Sequence, residues 1–222
     1  MHNEPFIRIP YDSREEWLEL RKKGLGGSDV AAAIGQNPYK DNVRLYQEKI
    51  GLVEPEDIGD KKQVKYGHAA EDHIRALFAL EHEEDLEVIH TNDLLVSKEK
   101  DYLRGSLDGE LIEKATGRKG ILEIKTTDIM ASYHLESWKD NNVPINYYCQ
   151  LLHYFYITGY AFAILVVEMR RHTNDGIIFV RKEYHFERED IIADMEWLKS
   201  EAIKFWEEHI IPKKAPNLKI DI

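Results

Sequence analysis

Asp108, in Gly105-Ser106-Leu107-Asp108-Gly109-Glu110-Leu111, and Glu123, in Ile121-Leu122-Glu123-Ile124-Lys125, stand fifteen residues apart. Side chains alternate faces along a strand, so Glu123 and Lys125 point one way while Leu122 and Ile124 point into the opposite layer. A carboxylate and an ammonium rising from an otherwise apolar strand are costly to place unless something compensates them. A hard divalent cation and a phosphate would do so. Mg²⁺ is commonly held by one or two carboxylates, waters and substrate phosphate oxygens, and the Ile124 carbonyl offers a further oxygen. Lys125 beside such an ion would orient or deprotonate an attacking water and stabilise charge developing on phosphorus. The plain alternative is a solvated sheet face with a cross-strand Glu–Lys pair.

Glu71 shifts that balance. It sits at the edge of an apolar stripe, Ala70, Ile74, Leu77 and Phe78, spaced as a core-facing helix requires, and a carboxylate there wants a cation. The alternative is a surface acid near a helix N-terminus. Gln150 and Tyr154 share a helix face at i and i+4, and both can hydrogen-bond a phosphate, a water or the lysine. Arg21 and Ser28 flank the turn Gly24-Leu25-Gly26-Gly27, whose backbone N–H groups and neighbouring guanidinium suit a phosphate. No Gly-Lys-Ser/Thr follows, so nucleotide hydrolysis by a P-loop has no support. An ordinary helix connection stays open as the other reading of that turn.

The elements that must position these residues can be read in outline. Ser13–Lys23 predicts a helix with Ser13 as N-cap, followed by a short small-residue helix ending at Gly35 and a third over 42–50. Glu54–Lys62 is polar and punctuated by Pro55 and Gly59, a candidate mobile loop. A helix follows over about 65–84. Leu86–Ser97, Tyr102–Glu113 and Gly120–Thr126 read as strands. If the last two pair as a hairpin, Asp108 faces the side of Glu123. Asn146–Thr158 predicts a helix ended by Gly159, Phe162–Met169 a buried strand with Gly176–Phe186 as hairpin partner, and Glu189–Glu208 an amphipathic C-terminal helix. Trp138, Trp197 and Trp206 are read as packing residues, and His68 and His73 as helix-surface residues. The economical organisation is one α/β domain over residues 1–222, with a helical N-terminal extension (13–50), a core over about 65–186 and a helix over about 189–208.

Composition narrows the function classes. A net charge of −11 argues against a protein that coats nucleic acid electrostatically, though not against one gripping it at a local site. The single cysteine, Cys149, excludes an internal disulfide framework and a cysteine-based zinc site. No stretch approaches the roughly 18 apolar residues of a membrane helix, and Met1-His2-Asn3-Glu4-Pro5 opens no secretory leader. The expectation is a cytoplasmic protein with no membrane partner.

Taken in order, six segments resemble the lambda-exonuclease, or YqaJ-type, viral recombinase family of the PD-(D/E)XK nucleases. They are Trp17-Leu18-Glu19-Leu20-Arg21 with Gly24-Leu25-Gly26-Gly27-Ser28-Asp29; Asn37-Pro38-Tyr39; Gly67-His68-Ala69-Ala70-Glu71; Ser106-Leu107-Asp108-Gly109; Leu122-Glu123-Ile124-Lys125; and Gln150 with Tyr154. The resemblance spans residues 14 to 160. It implies a restriction-endonuclease-like mixed β-sheet flanked by helices. It implies Mg²⁺, two ions with Mn²⁺ as a substitute, held by residues matching Glu71, Asp108, Glu123 and Ile124, with Lys125 as catalytic lysine. Arg21, Ser28 and Ser106 match positions that bind a terminal 5′-phosphate. The implied activity is digestion of one strand of duplex DNA from its 5′ end to leave a 3′ overhang, by a homotrimeric ring working with a single-strand DNA annealing protein. Leu107 stands where the nominal motif has proline. Within a ring, Arg44, Lys61, Lys62, Lys65 and Lys139 are candidates for a DNA-facing lining. Two other readings stay open: an endonuclease on the same core, and a non-catalytic module that binds DNA ends.

Overall fold

The computed structural model describes residues 4–130 and 135–219; the first three residues of the leader reading lie outside it. Strand β1 (Phe6–Pro10) opens the chain, so the N-terminal extension is not wholly helical as expected. Helices α1 (Arg14–Lys22), α2 (Gly27–Ala33) and α3 (Asn42–Lys49) follow. Ser13 caps α1, its side chain accepting from the Glu16 amide at 3.1 Å, and Asp41 caps α3 by accepting from Arg44 N at 2.7 Å. Helix α4 (Lys62–Glu81) buries Ile74 and Phe78, but Leu77, expected in that stripe, is exposed.

Two expected strands each break in two. Leu86–Ser97 becomes β2 (Leu86–Ile89) and β3 (Asp93–Ser97), and Tyr102–Glu113 becomes β4 (Arg104–Gly105) and β5 (Gly109–Glu113). The halves belong to different sheets. A three-stranded sheet runs β1-β3-β4, all antiparallel. A five-stranded sheet runs β2-β5-β6-β7-β8, completed by β6 (Lys119–Ile129), β7 (Phe162–Thr173) and β8 (Gly176–Glu187). Its strands are antiparallel except β6 and β7, which pair in parallel from Gly120↔Phe162 to Ile129↔Arg171. Helix α5 (Ile145–Thr158) lies in the crossover and ends at Gly159, whose φ of 67° is the left-handed conformation expected of a C-terminal glycine. Helix α6 (Ile192–Phe205) runs on into a π-helical turn, Trp206–Ile210.

Alternation along β6 divides the core. Leu122 and Ile124 face a smaller apolar layer with Ile74 and Phe78 of α4 and Ile164 and Val166 of β7. Ile121 and Ile129 face the larger one, formed with α2, α5 and α6. Trp138 is buried there, stacked 5.6 Å from Tyr147, and Trp206 stacks on Tyr102 at 5.2 Å, whereas Trp197 is exposed and not a packing residue. His68 and His73 lie on the helix surface as expected.

Candidate functional site

In β6 a carboxylate is forced into the larger core. Glu123 is 1% exposed; one of its oxygens takes hydrogen bonds from Lys125 Nζ and, at 2.6 Å, from Gln150 Nε2 on α5. Gln150 Nε2 also donates to the Tyr154 hydroxyl at 2.9 Å, so the expected i, i+4 pair does converge on the strand. The other oxygen, Oε2, is buried without a hydrogen-bond partner. An orphaned carboxylate oxygen inside a fold is unusual and points to a missing cationic partner.

Asp108 reaches the same place by a route the hairpin reading did not foresee. The ladder between β5 and β6 begins at Gly109↔Leu122, one residue short of Asp108. Asp108 instead turns its carboxylate onto β6, where Oδ2 accepts from the Ile124 N–H at 2.7 Å, satisfying a strand-edge donor that β5 no longer covers. Its carbonyl is held by Arg75 Nε at 2.6 Å and lies 3.2 Å from His90 Nδ1. Arg75, only 8% exposed, also donates to Glu71 Oε1 at 2.6 Å and Asp72 Oδ1 at 2.7 Å. The break in the strand thus leaves a notch where Glu71 of α4, on one face of the sheet, comes within electrostatic reach of Asp108 and of Lys125 on the other.

The electrostatics record that crowding. Burial, and then the charge on Asp108, lift Glu123 to about 8 and Glu71 to about 7, against the opposing pull of Lys125 and, for Glu71, Arg75. Burial also works against the charge on Lys125, but Glu123 and Asp108 outweigh it and hold the ammonium protonated above its ordinary range. Burial and the charge on Glu123 push the Tyr154 phenol up as well.

A hard divalent cation fits this donor set in kind: the ligating atoms are carboxylate oxygens, and one buried oxygen stands unpartnered. The side chains are not gathered as a finished cage. Among the described residues no three His, Cys, Asp or Glu form a ready metal-binding group. Glu71 is turned to Arg75 and Glu123 to Lys125 and Gln150, so closing them on one ion requires rotation. Ile124 is placed by its N–H bond to Asp108.

The second cluster lies on the N-terminal elements. Arg21 Nη2 donates to Ser28 Oγ at 2.6 Å, and the Arg21 guanidinium sits 4.4 Å from the centre of the Trp17 ring. Trp17 Nε1 donates in turn to Ser106 Oγ at 2.9 Å, so Arg21, Ser28 and Ser106 form one contiguous group. Tyr11 adjoins it: its phenol faces Ser106 and feels Glu71 and Asp108, and burial pushes it above its ordinary value. The glycine turn itself is not an open anion cradle. The Gly26 N–H is taken by Asp29 Oδ2 at 3.0 Å, and Lys49 pairs with the same Asp29 oxygen at 2.8 Å. Gly24 is there for contact, since a Cβ would lie 2.2 Å from the Tyr102 carbonyl oxygen. Gly27 lets α2 press on Tyr154 and Gln150, where a Cβ would meet both within 2.8 Å.

Tyr11, Trp17, Arg75 and His90 are the site-lining residues that sequence reasoning missed. Two carried a legible signal: Arg75 stands four residues after Glu71, and Trp17 four before Arg21, each pair on one helix face. Four of the basic residues read as candidates for a DNA-facing lining carry ion pairs. Arg44 pairs with Glu48, Lys61 with Glu56, Lys65 with Asp60 and Lys139 with Glu136, so these cations are partnered on the surface.

A mixed sheet flanked by helices, with a Glu-X-Lys strand at its centre, is the restriction-endonuclease-like architecture of known exonucleases. The fold matches the alkaline exonuclease LHK-Exo of Laribacter hongkongensis with a TM-score of 0.62 at 22% identity, covering 90% of this chain and 96% of that one. It also matches a phage related exonuclease of Haemophilus somnus 129PT with a TM-score of 0.56 at 14% identity, covering 86% and 96%. The chain belongs to the YqaJ-like viral recombinase domain family, whose pattern matches residues 16–161. It is 32% identical over 211 residues to the uncharacterized protein YqaJ of Bacillus subtilis (strain 168), a match covering 93% of this chain and 59% of that relative's length. No helix among the described residues is long and apolar enough to cross a membrane.

Proposed function

We propose that this protein is a Mg²⁺-dependent exonuclease that digests one strand of linear duplex DNA from its 5′ end, leaving a 3′ overhang for recombination by strand annealing. The observation that carries the reading is the buried, unpartnered Oε2 of Glu123 in a notch shared with Asp108, Glu71 and Lys125. Glu71, Asp108 and Glu123, with the Ile124 carbonyl, would hold the ion or ions, and Mn²⁺ would substitute. When bound, such an ion supplies a polarised water and neutralises charge on the phosphate. In this reading Lys125, whose carboxylate neighbours favour its protonated form, stabilises negative charge and orients water. Gln150 fixes Glu123, and Tyr154 fixes Gln150. Arg21, Ser28 and Ser106 receive the terminal 5′-phosphate.

LHK-Exo has also been solved in complex with dAMP, which fits release of one nucleotide per cut. The homotrimeric ring, the annealing-protein partner and a cytoplasmic setting belong to the same proposal and rest on the family resemblance. The test compares 5′-end-labelled linear duplex with covalently closed plasmid, with Mg²⁺, with Mn²⁺ and with EDTA. Mononucleotide release from linear ends only, abolished by chelation, is expected. Cutting of closed circles would replace this reading with the endonuclease, and digestion in EDTA would remove the metal.

A further inference from the structure

Both hydroxyls of the N-terminal cluster already accept a hydrogen bond from a group that can only donate. Ser28 Oγ accepts from the Arg21 guanidinium at 2.6 Å, and Ser106 Oγ accepts from the Trp17 indole N–H at 2.9 Å. Neither partner has an acceptor to offer. A serine that accepts one such bond still has its single hydrogen and a second lone pair, so each can donate to a phosphate oxygen. Ser106 also adjoins the Tyr11 phenol. Two hydroxyls and a guanidinium in one contiguous group suit a phosphate, which can accept from all three with charge assistance, better than a hydroxyl end.

Trp17 ties this arrangement together. Its ring seats the Arg21 guanidinium while its N–H fixes the hydroxyl of Ser106, 89 residues away in sequence. Trp17 and Arg21 lie four apart on α1, so one helix face presents both. We infer that Trp17 is the positioning residue for end recognition: it seats the Arg21 guanidinium and anchors the Ser106 hydroxyl, so that both are held ready for a terminal phosphate. This rests on the 5′-end reading above.

The experiment measures initial digestion rates on matched linear duplexes with 5′-phosphate or 5′-hydroxyl ends. The proteins are wild type, Trp17→Phe, Trp17→Leu, Ser106→Ala and the double variant Trp17→Phe/Ser106→Ala, each checked for an unchanged melting temperature. Trp17→Phe keeps an aromatic face for Arg21 but has no N–H, and should lower the phosphate-to-hydroxyl rate ratio about tenfold, the scale of one hydrogen bond to a charged group. Trp17→Leu should lower it further. In the Ser106→Ala background, Trp17→Phe should change the ratio by less than about twofold, because the route through Ser106 is already cut. An unchanged ratio in Trp17→Phe, an equal fall on both ends, or full additivity in the double variant would overturn the inference alone. A wild-type ratio near one would overturn the end-recognition reading and this inference with it.

Discussion

The molecule holds two polar clusters built on opposite economies. Around Glu123, charge is gathered from α4, the β4–β5 break, β6 and α5, and left in deficit: one carboxylate oxygen is orphaned and two acids are pushed to about 7 and 8. Around Trp17, each serine hydroxyl accepts one hydrogen bond, Ser28 from Arg21 and Ser106 from the indole. The first cluster leaves a carboxylate oxygen that an external cation can meet; the second fixes a guanidinium and two hydroxyls in place. Under the proposed function, a site for chemistry and a site for recognition differ in what each leaves unsatisfied.

The most severe way to break the comparison is at the lysine. Lys125→Ala should lower single-turnover cleavage roughly 10²–10⁴-fold, the usual loss for a charge-stabilising group, with DNA binding nearly kept. Asp108→Ala should be at least as damaging. A loss of only a few-fold for Lys125→Ala would remove its assigned role.

Arg21→Ala acts on the other cluster. It should erase most of a preference of about tenfold or more for 5′-phosphorylated ends, yet leave divalent-cation binding, read by calorimetry with Ca²⁺, as in the wild type. Weakened Ca²⁺ binding would mean that the clusters are not separable. Gly24→Ala should destabilise the fold by about 1–3 kcal/mol, because the new methyl drives into the Tyr102 carbonyl. Chemical denaturation measures this, and wild-type stability would show that the contact yields.

The smallest effect is the most diagnostic. Glu71 and Glu123 ionise near 4.5 when unfolded but at about 7 and 8 in the fold. The native state therefore favours their protonated forms, and this stabilisation is complete below about 4.5 and lost as pH rises through 7 to 8. Burial holds His153 down at about 4, so that residue weakens the fold on the acid side between about 6.5 and 4. Melting temperature in EDTA should thus fall by a few degrees from pH 6.5 to 8, at about 2–4 °C per kcal/mol. Ca²⁺ should raise it more at pH 8 than at pH 6, and Glu123→Gln should flatten the alkaline slope. A slope unchanged in Glu123→Gln would show that the carboxylate is satisfied without a cation.

Much of this was legible in the residues, for reasons that also explain the misses. Caps and breakers announced the helices: Ser13, Gly35 and Gly159 mark ends where the structure puts them. Glu123-X-Lys125 announced the chemistry because two charges on one face of an apolar strand have few explanations. The β4–β5 break stayed hidden because alternation runs straight through Ser106-Leu107-Asp108, where the structure turns the Asp108 carboxylate onto Ile124 and holds its carbonyl with Arg75. The β2–β3 break falls on the all-polar run His90-Thr91-Asn92, a signal the sequence did carry. Strand β1 was missed because five residues with Pro10 at the end make a strand only through β3, nearly ninety residues on. Of the glycine N–H groups read as facing a phosphate, that of Gly26 is already bonded to Asp29.

The β4–β5 break has a last consequence. Ser106 and Asp108 sit two residues apart on it, one in each cluster, and two residues of chain span at most about 7 Å. That is comparable to the step between successive phosphates along a strand. Under the proposed reading, an end seated at Ser106 brings its first phosphodiester linkage opposite Asp108, and the short segment acts as a ruler one nucleotide long. Lengthening it by a residue would change the gauge of the cut before it changed the chemistry.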